Sequence, residues 1–227
     1  MASVAIIPAR GGSKRIPRKN VRMLAGKPAI AYPIELALKS GLFERVIVTT
    51  EDQEIAEIAI AFGAEVPFTR SAHLSDDFAN TIDVITDAVL RLELTDSDLL
   101  CCIYPITPLL VVERLLQAHN LLETGTWDFV FPALEYITPI ERAFRKDLSG
   151  KVNFLVPQFA FARTQDIEKA FYDAGQFYFG RVKAWKSELP ILSGNATFIE
   201  LEKNETIDID EEADWNFLEK LFEFRHA

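Results

Sequence analysis

The chain has 227 residues, of which 49% are hydrophobic and 26% charged, and its formal net charge is −10. This composition is typical of a globular protein long enough to bury a sizeable core, and it excludes the disordered, collagenous and disulfide-stapled classes. The net acidity argues against general DNA binding and membrane-surface binding, which rest on broad basic patches. We therefore expect neither a nucleic acid nor a membrane as partner.

Positive charge is concentrated at one end of the sequence. Residues 1–34 contain seven Lys and Arg residues and no acidic residue, whereas the rest of the chain carries 17 basic and 34 acidic residues. A basic segment in an acidic protein favours binding of a small anion. The N-terminus lacks the features of a signal peptide, and no apolar run reaches the roughly 20 residues that span a bilayer, so a cytoplasmic location is expected. The adjacent Cys101 and Cys102 are predicted to be buried apolar residues.

In chain order, short apolar runs alternate with segments of helical periodicity. Strands are predicted at residues 4–7, 45–50, 65–68, 99–104, 128–131, 174–182 and 196–201, and helices at 28–40, 51–62, 82–92, 111–122 and 211–224. This alternation predicts an α/β fold in which a doubly wound, mainly parallel sheet is covered by helices on both faces. The apolar side of the last helix is predicted to carry Phe217, Leu218, Leu221 and Phe222.

One segment departs from this rhythm. Residues 132–165 contain two short strand patterns, at 142–145 and 151–156, around a Ser-Gly turn. We expect a single domain spanning residues 1–227, from which residues 132–165 form a small β excursion that packs against a second subunit.

The loop after the first predicted strand carries the strongest functional signal. In open α/β sheets ligands bind beyond the carboxyl ends of the strands, and this loop, residues 8–20, reads PARGGSKRIPRKN. Gly11 and Gly12 allow backbone N–H groups to approach an anion. Charges able to neutralise a polyphosphate come from Arg10, Lys14 and Lys19. The loop fits neither the P-loop nor the dinucleotide fingerprint. Triphosphate binding is favoured, and an exposed, solvated basic loop is the alternative.

A pair of carboxylates lies near the C-terminus. Residues 207–210 read Ile-Asp-Ile-Asp, and in an extended chain Asp208 and Asp210 would share one face, about 7 Å apart. Two such carboxylates can hold Mg²⁺, which completes its coordination with water and substrate phosphates and neutralises their charge. The alternative for Asp210 is the N-cap of the final helix, and the two roles can coexist.

Residues 7–20, IPARGGSKRIPRKN, closely resemble the N-terminal signature of the acylneuraminate cytidylyltransferases, enzymes that make CMP-activated nonulosonic acids. The resemblance implies a nucleotidyltransferase-type fold, a homodimer, CTP and a nonulosonic acid as substrates, and Mg²⁺ held by Asp208 and Asp210. It implies that CTP is bound by Arg10, Gly11, Gly12, Ser13, Lys14, Lys19, Asn20, Arg70, Ala79 and Thr81. The catalytic residues expected on this basis are Arg10, Lys14, Lys19 and Asp210, with Lys19 at the α-phosphate. For Arg70, a surface salt bridge is the alternative.

The sugar side departs from the sialic-acid members of that family. Tyr104 and Leu110 replace their usual glutamine and arginine, and residues 172–180, YDAGQFYFG, resemble the branch that acts on pseudaminic acid. The expected sugar-binding residues are Tyr104, Arg163, Gln176 and Tyr178, with Arg142 as the alternative cation for the sugar carboxylate. The sequence therefore predicts CMP transfer from CTP to pseudaminic acid. The alternatives are N-acetylneuraminic, legionaminic or Kdo-type acids, or a regulatory module that binds CTP without chemistry.

Overall fold

A seven-stranded sheet forms the centre of the protein in a computed structural model, which describes residues 2–76, 79–187, 190–192 and 194–226. The strands in these residues are β1 (Ser3–Pro8), β2 (Met23–Leu24), β3 (Lys27–Pro28), β4 (Arg45–Thr49), β5 (Leu99–Ile103), β6 (Phe129–Glu135), β7 (Phe144–Lys146), β8 (Val152–Phe154), β9 (Phe171–Asp173), β10 (Phe177–Arg181) and β11 (Ala196–Glu200). The α-helices are α1 (Ala31–Ser40), α2 (Gln53–Ala61), α3 (Thr81–Arg91), α4 (Val112–Thr124), α5 (Val182–Trp185) and α6 (Glu212–His226).

The strand order of the central sheet is β11-β6-β10-β5-β1-β4, with β9 paired to β6. Strand β1 is parallel to β4 and β5, and β11 is parallel to β6. Strand β10 is antiparallel to both β5 and β6, and β9 is antiparallel to β6. Five of the seven strands therefore point in one direction, and the predicted α/β fold with a mainly parallel sheet is confirmed.

Helices cover both faces of the sheet. On one face, Ile34 of α1 and Leu115 of α4 pack against alternate strand residues such as Ile7, and all three side chains are buried. On the other face, Ile85 of α3 and Trp185 of α5 are buried together. Burial of each such side chain contributes about 1.5–3 kcal/mol. No helix in the described parts of the chain is long and apolar enough to cross a membrane.

A third apolar cluster joins the C-terminal helix to the basic loop. Trp215 and Leu218 of α6 are buried against Ile16, from the loop after β1, and against Leu24. Phe217 is 57% exposed, so its predicted place on the apolar side of this helix is wrong. Trp215 and Leu218 are three residues apart and share a face, whereas Phe217 follows Trp215 by two residues and lies on another side.

Two predicted element boundaries are wrong for local reasons. Residues 65–68 do not form a strand. Glu65 makes an isolated bridge to Ile47 of β4, and the ladder does not continue because Pro67 cannot donate a hydrogen bond to it. Helix α1 begins at Ala31 because Lys27–Pro28 pairs with Met23–Leu24 in a hairpin. The turn of this hairpin, Ala25 and Gly26, has φ values of 44° and 91°, the left-handed conformation that tight hairpin turns require.

The segment predicted as one strand at residues 174–182 is divided. Gly175 has a φ of 63° and turns the chain between β9 and β10, and Val182 begins α5. The predicted excursion also starts later than residue 132, because β6 continues in the main sheet through Glu135. After β6, strands β7 and β8 pair as an exposed two-stranded sheet.

Close packing at Gly180 of β10 generates a stability prediction. A Cβ atom there would overlap the ring of Phe129, which itself packs edge-to-face on Trp185 with ring centroids 5.0 Å apart. We expect Gly180→Ala to lower the free energy of unfolding by about 2 kcal/mol, since the core has no room to expand. Urea unfolding measures the change. Gly12→Ala is the control, because nothing lies within 4 Å of a Cβ at that position, and equal losses in the two variants would contradict the prediction.

Candidate active site

An open cleft with a volume of about 660 Å³ lies at the carboxyl ends of β1 and β5. Ten of the residues predicted from the sequence line it: Arg10, Ser13, Lys14, Lys19, Asn20, Arg70, Ala79, Thr81, Tyr104 and Asp210. They come from the loop after β1, the segment before α3, the end of β5 and the start of α6. The fold therefore gathers these residues, which are up to 200 positions apart in the chain, around one space.

Hydrogen bonds between backbone groups of the basic loop and nearby side chains hold the loop in place. The N–H of Gly11 donates to Glu51 Oε1 at 2.8 Å, and the side-chain amide of Asn20 donates to the carbonyl of Arg10 at 2.9 Å. A Cβ at position 11 would overlap the carboxylate of Asp52, so this close approach requires glycine. Two hydrogen bonds and one steric constraint thus fix the loop that carries the cations.

Arg18 anchors the far end of the same loop. Its φ of 57° is left-handed, and its guanidinium donates to both oxygens of Asp52 and to Glu54. The hydrogen bonds from Arg18 lower the pKa of Asp52, with a further contribution from the N–H of Ile55. Because Asp52 also caps α2, the loop is tied to the start of that helix.

Arg70 is a fixed cation in the cleft wall. Its side chain is 3% exposed and donates to Glu51 Oε2 at 2.9 Å, to the carbonyl of Ala9 at 3.1 Å and to Ser75 Oγ at 3.0 Å. Burial lowers the pKa of Arg70 and Glu51 partly restores it, but an arginine stays charged in proteins. The alternative of a surface salt bridge is wrong, because the guanidinium is buried.

The basic loop meets the C-terminal carboxylates across the cleft. Lys19 Nζ donates to the carbonyl of Ile209 at 2.7 Å, and Arg15 lies 2.6 Å from Asp210 Oδ1. Burial lowers the pKa of Lys19, while the charges of Asp210 and Asp208 act in the opposite direction. Lys19 is therefore a partly desolvated cation held next to two carboxylates.

Asp210 does not cap the final helix, so that alternative is wrong. Helix α6 begins at Glu212, and it is Asp214 Oδ2 that accepts the N–H groups of Asp210, at 2.9 Å, and Glu211, at 2.7 Å. This leaves the carboxylate of Asp210 directed at the basic loop. Residues 207–210 are not a regular strand, yet Ile209 is buried while Asp208 is exposed.

The donor set near Asp210 fits a magnesium ion that is completed by substrate oxygens. Asp208 and Asp210 supply two carboxylates, although only Asp210 lines the cleft. Among the described residues, no group of three or more His, Cys, Asp and Glu side chains is arranged to hold a metal by itself. Mg²⁺ is commonly bound by one or two carboxylates together with substrate phosphates and water, so these residues suit it.

A side cavity of about 310 Å³ adjoins the cleft. It is lined by Asn80, Thr81, Ile82, Tyr104, Tyr178, Pro190, Ile191 and Leu192. The hydroxyl of Tyr104 lies 3.0 Å from Thr81 Oγ1, and the rings of Tyr104 and Tyr178 pack edge-to-face with centroids 5.7 Å apart. The cavity is thus mostly apolar, with hydroxyl groups along one wall.

Two predicted sugar-binding residues lie away from the cleft. Gln176 is 2% exposed, and its amide donates to the carbonyl of Glu205 at 2.6 Å, so it serves the packing of the C-terminal segment. Arg163 is exposed in the excursion. Conversely, Arg15 and Asn80 line the cleft without having been predicted. Arg15 could have been predicted as a cleft residue because it belongs to the run of basic residues in the loop. Asn80 caps α3 through its side-chain oxygen, and its sequence context gave no indication of a role in the cleft.

A mainly parallel sheet with a basic glycine loop after β1, facing a carboxylate, defines this chain as a nucleotidyltransferase. It belongs to the cytidylyltransferase family, whose sequence profile matches residues 4–210, and this confirms the resemblance seen in residues 7–20. A pseudaminic acid cytidylyltransferase of Campylobacter jejuni is 41% identical over 100% of this chain and 98% of its own length. A CMP-N,N'-diacetyllegionaminic acid synthase of Legionella pneumophila is 31% identical over 98% and 97%.

Solved structures show the same fold at low sequence identity. A CMP:2-keto-3-deoxy-manno-octonic acid synthetase complexed with CTP superposes with a TM-score of 0.72 and 17% identity, covering 99% of this chain and 100% of that one. A 4-diphosphocytidyl-2C-methyl-D-erythritol synthase from Anaerococcus prevotii has a TM-score of 0.63 and 14% identity, with 98% of each chain covered. These structures support the fold, and they do not identify the substrate of this chain.

The buried pair of Glu51 and Arg70 generates a second prediction. Glu51→Gln keeps an oxygen for the N–H of Gly11 but removes the charge that faces the buried guanidinium. We expect the free energy of unfolding to fall by about 3 kcal/mol, because a buried charge is left unpaired. The control is Glu65→Gln, which breaks a pair with Arg45 whose side chains are 49% and 36% exposed. The control should lose less than about 1 kcal/mol in the same denaturation experiment, and equal losses would contradict the assignment.

Proposed function

We propose that this protein transfers CMP from CTP to the anomeric hydroxyl of pseudaminic acid, giving the CMP-sugar and pyrophosphate. The observation that carries the proposal is the cleft itself, in which the cationic loop after β1 faces Asp210 at the carboxyl edge of the sheet. The resemblance to the Campylobacter jejuni relative over its whole length supports the choice of pseudaminic acid. Because CTP is an intracellular nucleotide, the proposal also places the reaction in the cytoplasm.

The loop residues bind the triphosphate in this proposal. Arg10, Lys14 and Lys19 neutralise its charge, and Ser13, which also lines the cleft, offers a hydrogen bond. We expect the backbone N–H of Gly12, in the same loop, to donate to the triphosphate as well. The cleft volume of about 660 Å³ lies in the usual range for small-molecule sites. In this proposal the cytosine base lies toward Arg70, Ala79 and Thr81, which line the same cleft.

The acceptor hydroxyl attacks the α-phosphorus and releases its proton to water. A new P–O bond forms as the bond to pyrophosphate breaks. Lys19 donates to the carbonyl of Ile209, and in this proposal its charge offsets the charge at the α-phosphate. Asp208 and Asp210 are the residues that would hold Mg²⁺, which when bound neutralises phosphate charge and aligns the phosphate chain. Positioning and electrostatic stabilisation then supply most of the catalysis.

The side cavity supports a sugar with apolar substituents. Its lining combines Ile82, Ile191 and Leu192 with the side chains of Tyr104 and Tyr178. Acylamino and methyl groups, which pseudaminic acid carries, suit this surface, whereas the hydroxyl groups of a Kdo-type acid do not. N-acetylneuraminic and legionaminic acids share the acylamino feature and are therefore the competing substrates in the test.

Pyrophosphate release from CTP, measured with a panel of nonulosonic acids, tests this function. We expect the highest kcat/KM with pseudaminic acid, and Asp210→Asn should lower kcat about 100-fold or more because it removes a carboxylate that would hold Mg²⁺ at the reacting phosphate. Asp96→Asn is the matched control, since Asp96 pairs with Lys186 and its side chain is 63% exposed away from the cleft.

Release of pyrophosphate in the Asp210→Asn variant at the wild-type rate would remove the metal assignment. Tight CTP binding with no release for any acid would overturn the enzyme proposal and favour a regulatory module instead. Faster release with another acid would reassign the substrate within the same reaction.

We further propose that the chain acts as a homodimer through the excursion. In the described structure this segment exposes several apolar side chains, including Ile137 at 80%, Phe144 at 62% and Leu155 at 50%. Contiguous exposed apolar surface of this kind marks protein interfaces. Arg163 lies in the same segment, so a role at the sugar carboxylate would require the excursion of a second copy to carry it to the cleft.

Phe144→Asp tests the dimer. We expect light scattering to give a mass near 25.6 kDa for this variant and twice that for the wild type, because burying an unpaired charge is unfavourable. Phe217→Asp is the control, with a similar exposure of 57% on α6, outside the excursion. A monomeric wild type, or dissociation by the control alone, would contradict the proposed interface.

A further inference from the structure

A row of hydroxyl groups leads from the cleft wall to a carboxylate that does not line the cleft. Asp173, the last residue of β9, accepts the hydroxyl proton of Tyr178 through Oδ2. Its other oxygen accepts the N–H of Gly175 at 2.9 Å. Tyr104 stands next in the row, edge-to-face on Tyr178 and 3.0 Å from Thr81 Oγ1. The row therefore connects a wall shared by the cleft and the side cavity to Asp173.

The carboxylate decides the direction of the hydrogen bonds. An ionised aspartate only accepts, whereas a tyrosine hydroxyl has one proton to donate and lone pairs with which to accept. Tyr178 gives its proton to Asp173, so toward its other neighbours, Tyr104 and the side cavity that it helps to line, its oxygen can act only as an acceptor. Tyr178 is 7% exposed, and a charge-assisted hydrogen bond at such a buried position is strong.

We propose that Asp173 is a positioning residue that sets sugar specificity: it fixes Tyr178 as an acceptor, so that the side cavity selects a sugar presenting a hydroxyl or amide N–H at that point. This inference rests on the proposed function, because it concerns the sugar half of the same site. Nothing in it requires Asp173 to touch the substrate.

The turn after β9 makes the orientation of Asp173 specific. Gly175 has a φ of 63°, and the turn it forms holds its N–H on Asp173 Oδ1. An asparagine at position 173 must keep its oxygen on this N–H and would direct its NH₂ group at Tyr178. Tyr178 would then accept from residue 173 and direct its own proton toward the cavity or Tyr104. Asp173→Asn therefore reverses the hydrogen bond with almost no change in shape.

Tyr178 itself stays protonated at neutral pH. Burial raises the pKa of its hydroxyl, and the nearby Tyr104 and Asp173 raise it further. Its proposed effect on the sugar is therefore one of hydrogen-bond geometry.

Steady-state kinetics of four proteins test the proposal: wild type, Asp173→Asn, Tyr178→Phe and the double variant. We expect Asp173→Asn to raise KM for the sugar about tenfold, because a donor now faces a donor, and to change KM for CTP less than about twofold. The double variant should be no worse than Tyr178→Phe alone, since Asp173 acts through Tyr178. Additive losses, or equal effects on both substrates, would show a merely structural role and overturn the proposal.

A spectroscopic measurement separates this inference from the proposed function. In ligand-free protein labelled with ¹³Cζ-tyrosine, the Tyr178 resonance is assigned by its loss in Tyr178→Phe. It should shift in Asp173→Asn and remain in place in the Asp96→Asn control. A wild type that activates no sugar would refute the proposed function while this shift still establishes the hydrogen-bond direction. An unshifted resonance would overturn the role of Asp173 even in an active enzyme.

Discussion

The carboxylate of Glu51 lies between two groups that define the cleft, the N–H of Gly11 and the guanidinium of Arg70. It comes from the end of β4, next to the strand that carries the basic loop. One anion thus fixes the backbone of a loop rich in positive charge and compensates a buried cation in the wall behind it. Without it, the loop would lose a backbone anchor at the position where glycine permits the closest approach, and Arg70 would be a buried charge without its carboxylate partner.

The second constraint on the site is apolar. The cluster of Ile16, Leu24, Trp215 and Leu218 holds α6 against the outer part of the basic loop. This packing places Asp210 beside Arg15 and the carbonyl of Ile209 beside Lys19, although about 190 residues separate the two segments. The meeting of cation and carboxylate is therefore a consequence of burying a tryptophan and three aliphatic side chains, because the ion pair alone, at a partly exposed position, contributes little.

The part of the site proposed to bind the sugar differs from the charged cleft in the way it would recognise its ligand. In the proposed function, the wall of the side cavity at Tyr104 and Tyr178 is largely uncharged, and its selectivity would depend on which atoms donate and which accept. Asp173 accepts the hydroxyl proton of Tyr178 from behind that wall. In our inference it thereby controls whether Tyr178 donates or accepts, without itself contacting the ligand. The division suits the chemistry, since the nucleotide half handles a highly charged triphosphate and the sugar half must distinguish similar neutral substituents.

The fold class and the basic loop after β1 were both predictable from the sequence. Short buried strands alternating with amphipathic helices predict the sheet, and the loop at residues 8–20 is recognisable because its residues are contiguous. The tertiary structure alone decided the antiparallel insertion of β10, since strand direction depends on where the chain turns, as it does at Gly175, and not on apolar periodicity. It also decided that Gln176 is buried under the C-terminal segment and that Asp173 stands behind Tyr178, because long-range contacts between side chains leave no local pattern in the sequence.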